Sequence, residues 1–197
     1  MNRHRETLPA DYFAGIYASD ADPWRFTNSD YERDKYAATL AALPQPRYRS
    51  AFEPACSIGV FTRALAERCD RLLATDLVPA AVEATRARCA DRPHVEIRQG
   101  AVPADWPEGR FDLIVLSEFL YFLAPRDLTD LVRHAGAAIE PGGDLILVHW
   151  LGVTDYPQSG DDAAEGFIAQ AAPFAGLLHQ SRTAAYRLDV LRAGATA

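Results

Sequence analysis

From residue 50 onward, short apolar runs alternate with amphipathic stretches, a pattern that predicts a parallel sheet covered by helices. Strands are expected over residues 50–54, 72–76, 95–100, 111–117, 144–150, 178–183 and 186–192. The run at 111–117 is the most apolar and suits a central strand buried on both faces. Helices are expected over 60–68, 78–92, 125–139 and 163–171, the second opened by Pro79, a residue suited to a first helical turn. A polar loop fills 152–162, and Pro141-Gly-Gly predicts a turn before the fifth strand. The first 50 residues read differently. They carry a short apolar segment at 11–17, a turn at 22–26, and a helix from Asp30 to Leu43. Ser29 caps that helix, Glu32 stands at its third position, and Pro44 and Pro46 stop it.

Composition narrows the class. The 197 residues are 49% hydrophobic and 24% charged, enough apolar material for one folded domain and far from a disordered composition. The net charge of −7 opposes nucleic acid as a partner, since that affinity rests on clustered Lys and Arg. No apolar run approaches the length of a membrane span or follows the N-terminus as a signal peptide, so a cytoplasmic protein is expected. Cys56, Cys69 and Cys89 are an odd set without CxxC spacing, which predicts neither a disulfide framework nor a metal site. Lys35 is the only lysine, which leaves Schiff-base chemistry a single possible bearer.

Open α/β sheets bind ligands outside the carboxyl ends of their strands. The first such end is Glu53-Pro-Ala-Cys-Ser-Ile-Gly. Small residues at Ala55, Ser57 and Gly59 let the backbone turn sharply, and the helix that follows offers free amides. It reads as a nucleotide-type turn with one of its expected glycines. Asp76 ends the second strand 17 residues beyond Gly59, where a carboxylate can accept two hydrogen bonds from ribose hydroxyls while Leu77 packs on adenine. Glu53 at the turn suits a cationic, phosphate-free cofactor better than a diphosphate.

The order Glu53-Pro-Ala-Cys-Ser-Ile-Gly, Leu-Leu-Ala-Thr-Asp76, Arg110-Phe-Asp-Leu-Ile-Val and Pro141-Gly-Gly-Asp-Leu-Ile-Leu resembles the class I S-adenosylmethionine-dependent methyltransferases. More narrowly, Asp22-Pro-Trp-Arg-Phe, the helix from Tyr31 to Tyr36, Ala74-Thr-Asp-Leu-Val-Pro-Ala-Ala and Ser117-Glu-Phe-Leu-Tyr-Phe-Leu resemble the nodulation protein S (NodS) group, associated with N-methylation of a free amine on a chitooligosaccharide. The resemblance implies a single-domain Rossmann-like methyltransferase fold. It has a seven-stranded, mostly parallel sheet with helices on both faces, a helical N-terminal lid over residues 1–48, and a core over 49–197. It implies S-adenosyl-L-methionine as cofactor. The backbone of Ala55, Cys56, Ser57 and Gly59 would wrap the methionine portion, with Glu53 near its ammonium. Asp76 would hold the ribose and Leu77 the adenine. The third strand ends in Gly100-Ala-Val, without the acid many members carry there, so Ala101 and Val102 would meet adenine through backbone groups. Trp24 would belong to the lid, with Arg25 pairing the cofactor carboxylate, and Ser117 and Glu118 would stand where methyl and acceptor meet.

A methyl transfer to an amine needs a neutral nitrogen and a group to take its proton. Glu118 is the first candidate and His149 the second, while Tyr31, Tyr121 and Trp150 would line the acceptor pocket. Glu118 can also be read as a turn cap, His149 as a buried core histidine, and Tyr121 as a core aromatic; Asp112 reads as structural. The expected partner is a small-molecule acceptor, with no nucleic acid, no membrane and no metal, and the protein is a monomer or homodimer. O-methylation, nicotinamide-dependent redox chemistry and a catalytically silent cofactor-binding protein are the competing readings.

Overall fold

A computed structural model describes residues 3–194. Seven strands form one sheet: β1 (Ala51–Pro54), β2 (Leu72–Asp76), β3 (Val95–Gln99), β4 (Phe111–Ser117), β5 (Ile139–Trp150), β6 (Ala175–Arg182) and β7 (Tyr186–Ala193). Their spatial order is β3-β2-β1-β4-β5-β7-β6. All pairings are parallel except those of β7 with β5 and β6. The order reverses between β1 and β4, so the crevice of a doubly wound sheet opens at the carboxyl ends of these two strands.

Among the described residues six α-helices complete the fold: α1 (Ala10–Ser19), α2 (Asp30–Ala42), α3 (Val60–Ala66), α4 (Pro79–Arg88), α5 (Pro125–Ala138) and α6 (Gly160–Ala171). Side chains alternate across each strand, and the two faces fill separately. Ile114, Leu116, Leu145, Leu147 and Leu191 pack beneath α5 and α6. Leu113, Val115, Ile146, Val148 and Val190 pack with Phe61 and Leu65 of α3 and Leu40 of α2. As the uninterrupted apolar run of β4 predicts, this strand is buried on both faces. Asp112, at its start, accepts the backbone N–H groups of Arg49 and Ser50 at 3.0 and 2.8 Å and so fixes the entry to β1.

Several boundaries differ from the sequence reading. The apolar segment at 11–17 is part of a ten-residue helix. α3 stops at Ala66, because the chain then turns so that Cys69 bridges Tyr48 beside the sheet. α4 ends at Arg88, and Arg92 N–H closes a turn onto the Cys89 carbonyl at 2.8 Å. The Pro141-Gly-Gly turn does not precede β5 but lies inside it. Phe111 pairs with Ile139 and Leu113 with Asp144, so the turn is extruded as a bulge and the register shifts across it while both flanks stay paired with β4. α6 begins at Gly160, because Ser159 and Asp162 form a reciprocal capping box and draw two acidic residues into the first turn. β6 begins at Ala175, paired with Ala193.

Residues 4–9 lie across the carboxyl ends of the strands. His4 N–H donates to the Asp155 carbonyl at 2.8 Å and Leu8 N–H to that of Phe122 at 3.0 Å, while Thr7 Oγ1 accepts from Ala124 N–H at 2.8 Å. Phe13 of α1 meets Phe122 edge-on, 4.8 Å between ring centres.

Candidate active site

The turn after β1 achieves by strain what glycine normally allows. Ala55 and Ser57 hold φ of 57° and 52°, and Gly59 holds 76° as the N-cap of α3. Left-handed backbone costs a residue with a Cβ about 1–2 kcal/mol, and two further contacts offset it. Ser57 N–H donates to Asp76 Oδ2 at 2.8 Å, and Thr85 Oγ1 of α4 donates to the Ser57 carbonyl at 2.6 Å. Asp76 Oδ1 accepts Val78 N–H at 2.9 Å. One buried carboxylate therefore links the turn after β1 to the turn after β2. A Cβ on Gly59 would stand 2.6 Å from Thr85 Cγ2 and 3.0 Å from its Cα. Gly59→Ala is expected to cost about 2 kcal/mol from strain and clash together; an unchanged urea midpoint would refute this packing.

A cavity of about 820 Å³ opens over these turns, within the usual size of small-molecule sites. Ala55, Ser57, Asp76 and Leu77 line it, together with Ala101, Val102 and Trp24. Ser117, Glu118, Tyr31, Tyr121 and Trp150 line the same cavity. Residues expected from sequence at a cofactor and at an acceptor thus share one space.

Other expected residues stand elsewhere. Arg25 is turned outward, 70% exposed, with its guanidinium 3.3 Å from Asp20, so it is not placed to meet a ligand in the cavity. Both backbone groups of Ala101 are engaged within their own turn: N–H with Asp105 Oδ2 at 2.9 Å, and the carbonyl with Asp105 N–H at 2.8 Å. Cys56 is buried under the turn with Gly59 beside it. Glu53 lies behind the turn, 3% exposed, at a small void shared with Tyr36, Phe26 and Glu118. Its Oε2 has no partner, and burial, with Asp76 adding repulsion, pushes its carboxyl up to about 8. His149 is the clearest departure. It is fully buried with neither ring nitrogen partnered, and Tyr121 packs edge-on against it at 5.6 Å and faces the cavity. Burial pushes its imidazole down to about 4, so it is neutral at physiological pH and reaches no acceptor.

Glu118 stands at a strained position, φ 60°. Its Oε1 accepts from Lys35 Nζ at 2.5 Å; its Oε2 accepts from the Tyr121 hydroxyl at 2.8 Å and from Trp150 N–H at 2.9 Å. Three donors from α2, the turn after β4 and the end of β5 hold one carboxylate at the cavity wall. Lys35 is 2% exposed and also donates to Glu32 Oε1 at 3.0 Å. Sequence reading missed Lys35 and Glu32, since an i,i+3 Lys–Glu pair on a polar helix ordinarily marks a solvated face. It also missed Tyr17, whose hydroxyl sits 2.5 Å from Ser57 Oγ, and Tyr156, stacked on Tyr121 at 5.5 Å. Neither lies in a recognisable motif.

The chain is 36% identical over 130 residues to nodulation protein S of Rhizobium tropici and 34% identical to that of Bradyrhizobium diazoefficiens, each over 64% of this chain. These stretches are 54% and 61% of the relatives, so the chain spans little more than half the length of the curated proteins it matches. A solved Pseudomonas syringae structure, described provisionally as a methyltransferase, is 40% identical, superposes with a TM-score of 0.70, and is matched over 82% of this chain and 98% of its own. The N-methyltransferase NodS of Bradyrhizobium japonicum WM9, solved with S-adenosyl-L-homocysteine, has the same fold at 22% identity, with a TM-score of 0.80 over 93% of this chain and 97% of that one. The family model of nodulation protein S matches residues 17–147, a span that takes in the strained turn, Asp76, Lys35 and Glu118. This chain belongs to the nodulation protein S family.

Proposed function

We propose that the protein is an S-adenosylmethionine-dependent methyltransferase that methylates the nitrogen of a small-molecule amine, an amino sugar or chitooligosaccharide-like acceptor among them. The observation that carries this reading is a single cavity lined both by Asp76 and by a firmly held Glu118. When bound, the cofactor supplies an electrophilic methyl group on a sulfonium. Asp76, at the cavity wall, would hold the ribose hydroxyls, Leu77 offers an apolar face for adenine, and the backbone of residues 55–59 encloses the methionine portion. The unpartnered Glu53 Oε2 fits a cationic group placed beyond the turn, an observation of this chain that agrees with an ammonium-bearing cofactor and not with a diphosphate. Catalysis then rests on proximity, orientation and exclusion of water. Residues 1–48 serve as a lid and 49–197 as the core, a reading supported by the bonds of Thr7, Leu8 and Tyr17 across the cavity mouth. Three buried, unpaired cysteines suit the reducing cytoplasm.

Calorimetry separates this reading from a redox one: S-adenosylhomocysteine is expected to bind at micromolar concentration and NADH not to bind. The reverse preference would overturn it. Glu118→Gln should leave S-adenosylhomocysteine binding intact, because the role assigned to Glu118 is towards the acceptor. The amide nitrogen cannot accept from Lys35, Tyr121 or Trp150, so the acceptor wall loosens. Methyl uptake by an acceptor found in an amine screen is expected to fall about a hundredfold. Turnover at the wild-type rate would remove Glu118 from the chemistry.

A further inference from the structure

Behind Glu118 lies charge that holding one carboxylate does not require. Lys35 Nζ bridges Glu118 Oε1 at 2.5 Å and Glu32, whose Oε1 accepts at 3.0 Å. Glu32 Oε2, 2.9 Å from the same ammonium but outside hydrogen-bond geometry, is buried without a partner. Glu32 is 6% exposed, and Glu32, Lys35 and Glu118 all line the cavity. The Tyr31 hydroxyl beside them is likewise buried and unpartnered. Two carboxylates against one ammonium leave one uncompensated negative charge, in a setting where an isolated charge is costly. A cation entering from the cavity cancels it.

We infer that Glu32 and Lys35 complete, with Glu118, an acceptor-ammonium subsite in which Glu32 stores the proton that the acceptor gives up. This rests on the methyltransferase reading. The acceptor enters as an ammonium against Glu118 Oε1 and the Tyr31 hydroxyl. One N–H proton passes to Glu118, Lys35 Nζ gives one proton to Glu32 Oε1 along their hydrogen bond, and Glu118 returns its proton to Lys35. The acceptor becomes a neutral amine, Glu32 becomes a neutral acid, and the total charge is unchanged. Burial, which outweighs the pull of Lys35, raises Glu32 above the usual carboxylate range and suits it to hold a proton. The other ionisable groups around the cluster are Tyr31 and Tyr36 of α2, Glu53 of β1, Tyr121 after β4, His149 of β5 and Tyr186 of β7. Glu53, whose carboxyl burial pushes up to about 8, needs its own control.

Because Lys35 is the only lysine, protein enriched in [13C,15N]-lysine reports on the subsite through one side-chain signal. In the S-adenosylhomocysteine complex, methylammonium and benzylammonium are expected to shift that signal saturably, and benzyl alcohol is not. The signal should also show one titration step, displaced above the ordinary carboxylate range because burial raises Glu32, a step kept in Glu53→Gln and lost in Glu32→Gln. Glu32→Gln should weaken ammonium binding about tenfold, or about 1.4 kcal/mol, and hold S-adenosylhomocysteine within about twofold. Indifference of the lysine signal to both ammonium probes, or equal ammonium affinity in Glu32→Gln, would overturn the inference alone. Failure of the wild type to bind S-adenosylhomocysteine would overturn the cofactor reading and this inference with it.

Discussion

Asp76→Ala is expected to weaken S-adenosylhomocysteine binding by about two to three orders of magnitude, the worth of two charge-assisted hydrogen bonds at about 1.5–3 kcal/mol each less partial compensation by water. Part of the loss is indirect. Asp76 already accepts the N–H groups of Ser57 and Val78, and Ser57 sits in left-handed backbone, so without the carboxylate the turn relaxes. Asp76→Asn separates the two contributions. It keeps the shape and one acceptor oxygen, and should bind more tightly than the alanine variant yet well below the wild type. Calorimetry on the three proteins decides the matter, and equal affinity across them would remove Asp76 from the cofactor site.

Glu53 gives the second large effect, on stability. Its folded-state carboxyl is pushed from an ordinary 4.5 up to about 8 by burial. The folded protein therefore holds this proton more tightly than the unfolded chain does. The stability it confers is fully present below about pH 4.5 and is lost as pH rises through about 8. A tenfold difference in proton affinity is worth about 1.4 kcal/mol, so the decline amounts to roughly a few kcal/mol. Glu53→Gln removes the ionisation and keeps the shape. Its urea midpoint is expected to match the wild type near pH 5 and to exceed it clearly at pH 9. A difference of the same size at both values would show that Glu53 does not titrate in this window. Binding should move the other way. A carboxylate facing a cationic group must ionise, so wild-type binding of S-adenosylhomocysteine at pH 7 releases a proton and strengthens towards pH 8. The glutamine variant should bind less tightly without that proton release.

The carboxyl-end geometry was legible in the sequence because it depends on local rules. An apolar run followed by small residues and a helix gives a strand and a sharp turn, and the acid ending the next strand must face the same crevice. Ala55, Ser57 and Asp76 could be named on that basis, and Glu118 through the family resemblance. Arg25 and His149 could not be placed, since rotamer and depth decide their surroundings. A histidine in an apolar run reads the same whether it faces a cavity or a neighbouring tyrosine. Lys35 and Glu32 were hidden for the opposite reason. α2 is polar along most of its length, and only its packing against the sheet shows that one polar stripe faces inward. The bulge inside β5 was hidden too, because Pro-Gly-Gly signals a turn whether or not both of its flanks pair with the same strand.

The confinement of Lys35 has a chemical consequence for a protein that handles electrophilic methyl groups. An exposed lysine is itself an amine nucleophile, a rival to any amine acceptor and a target for adventitious alkylation. Here every other basic side chain except histidine is an arginine, whose delocalised cation offers no comparable lone pair. The single lysine has its nitrogen turned between two carboxylates at 2% exposure. No lysine side chain of this protein stands on its surface to be methylated, acylated or crosslinked, and reagents that seek lysine ε-amines will pass it by.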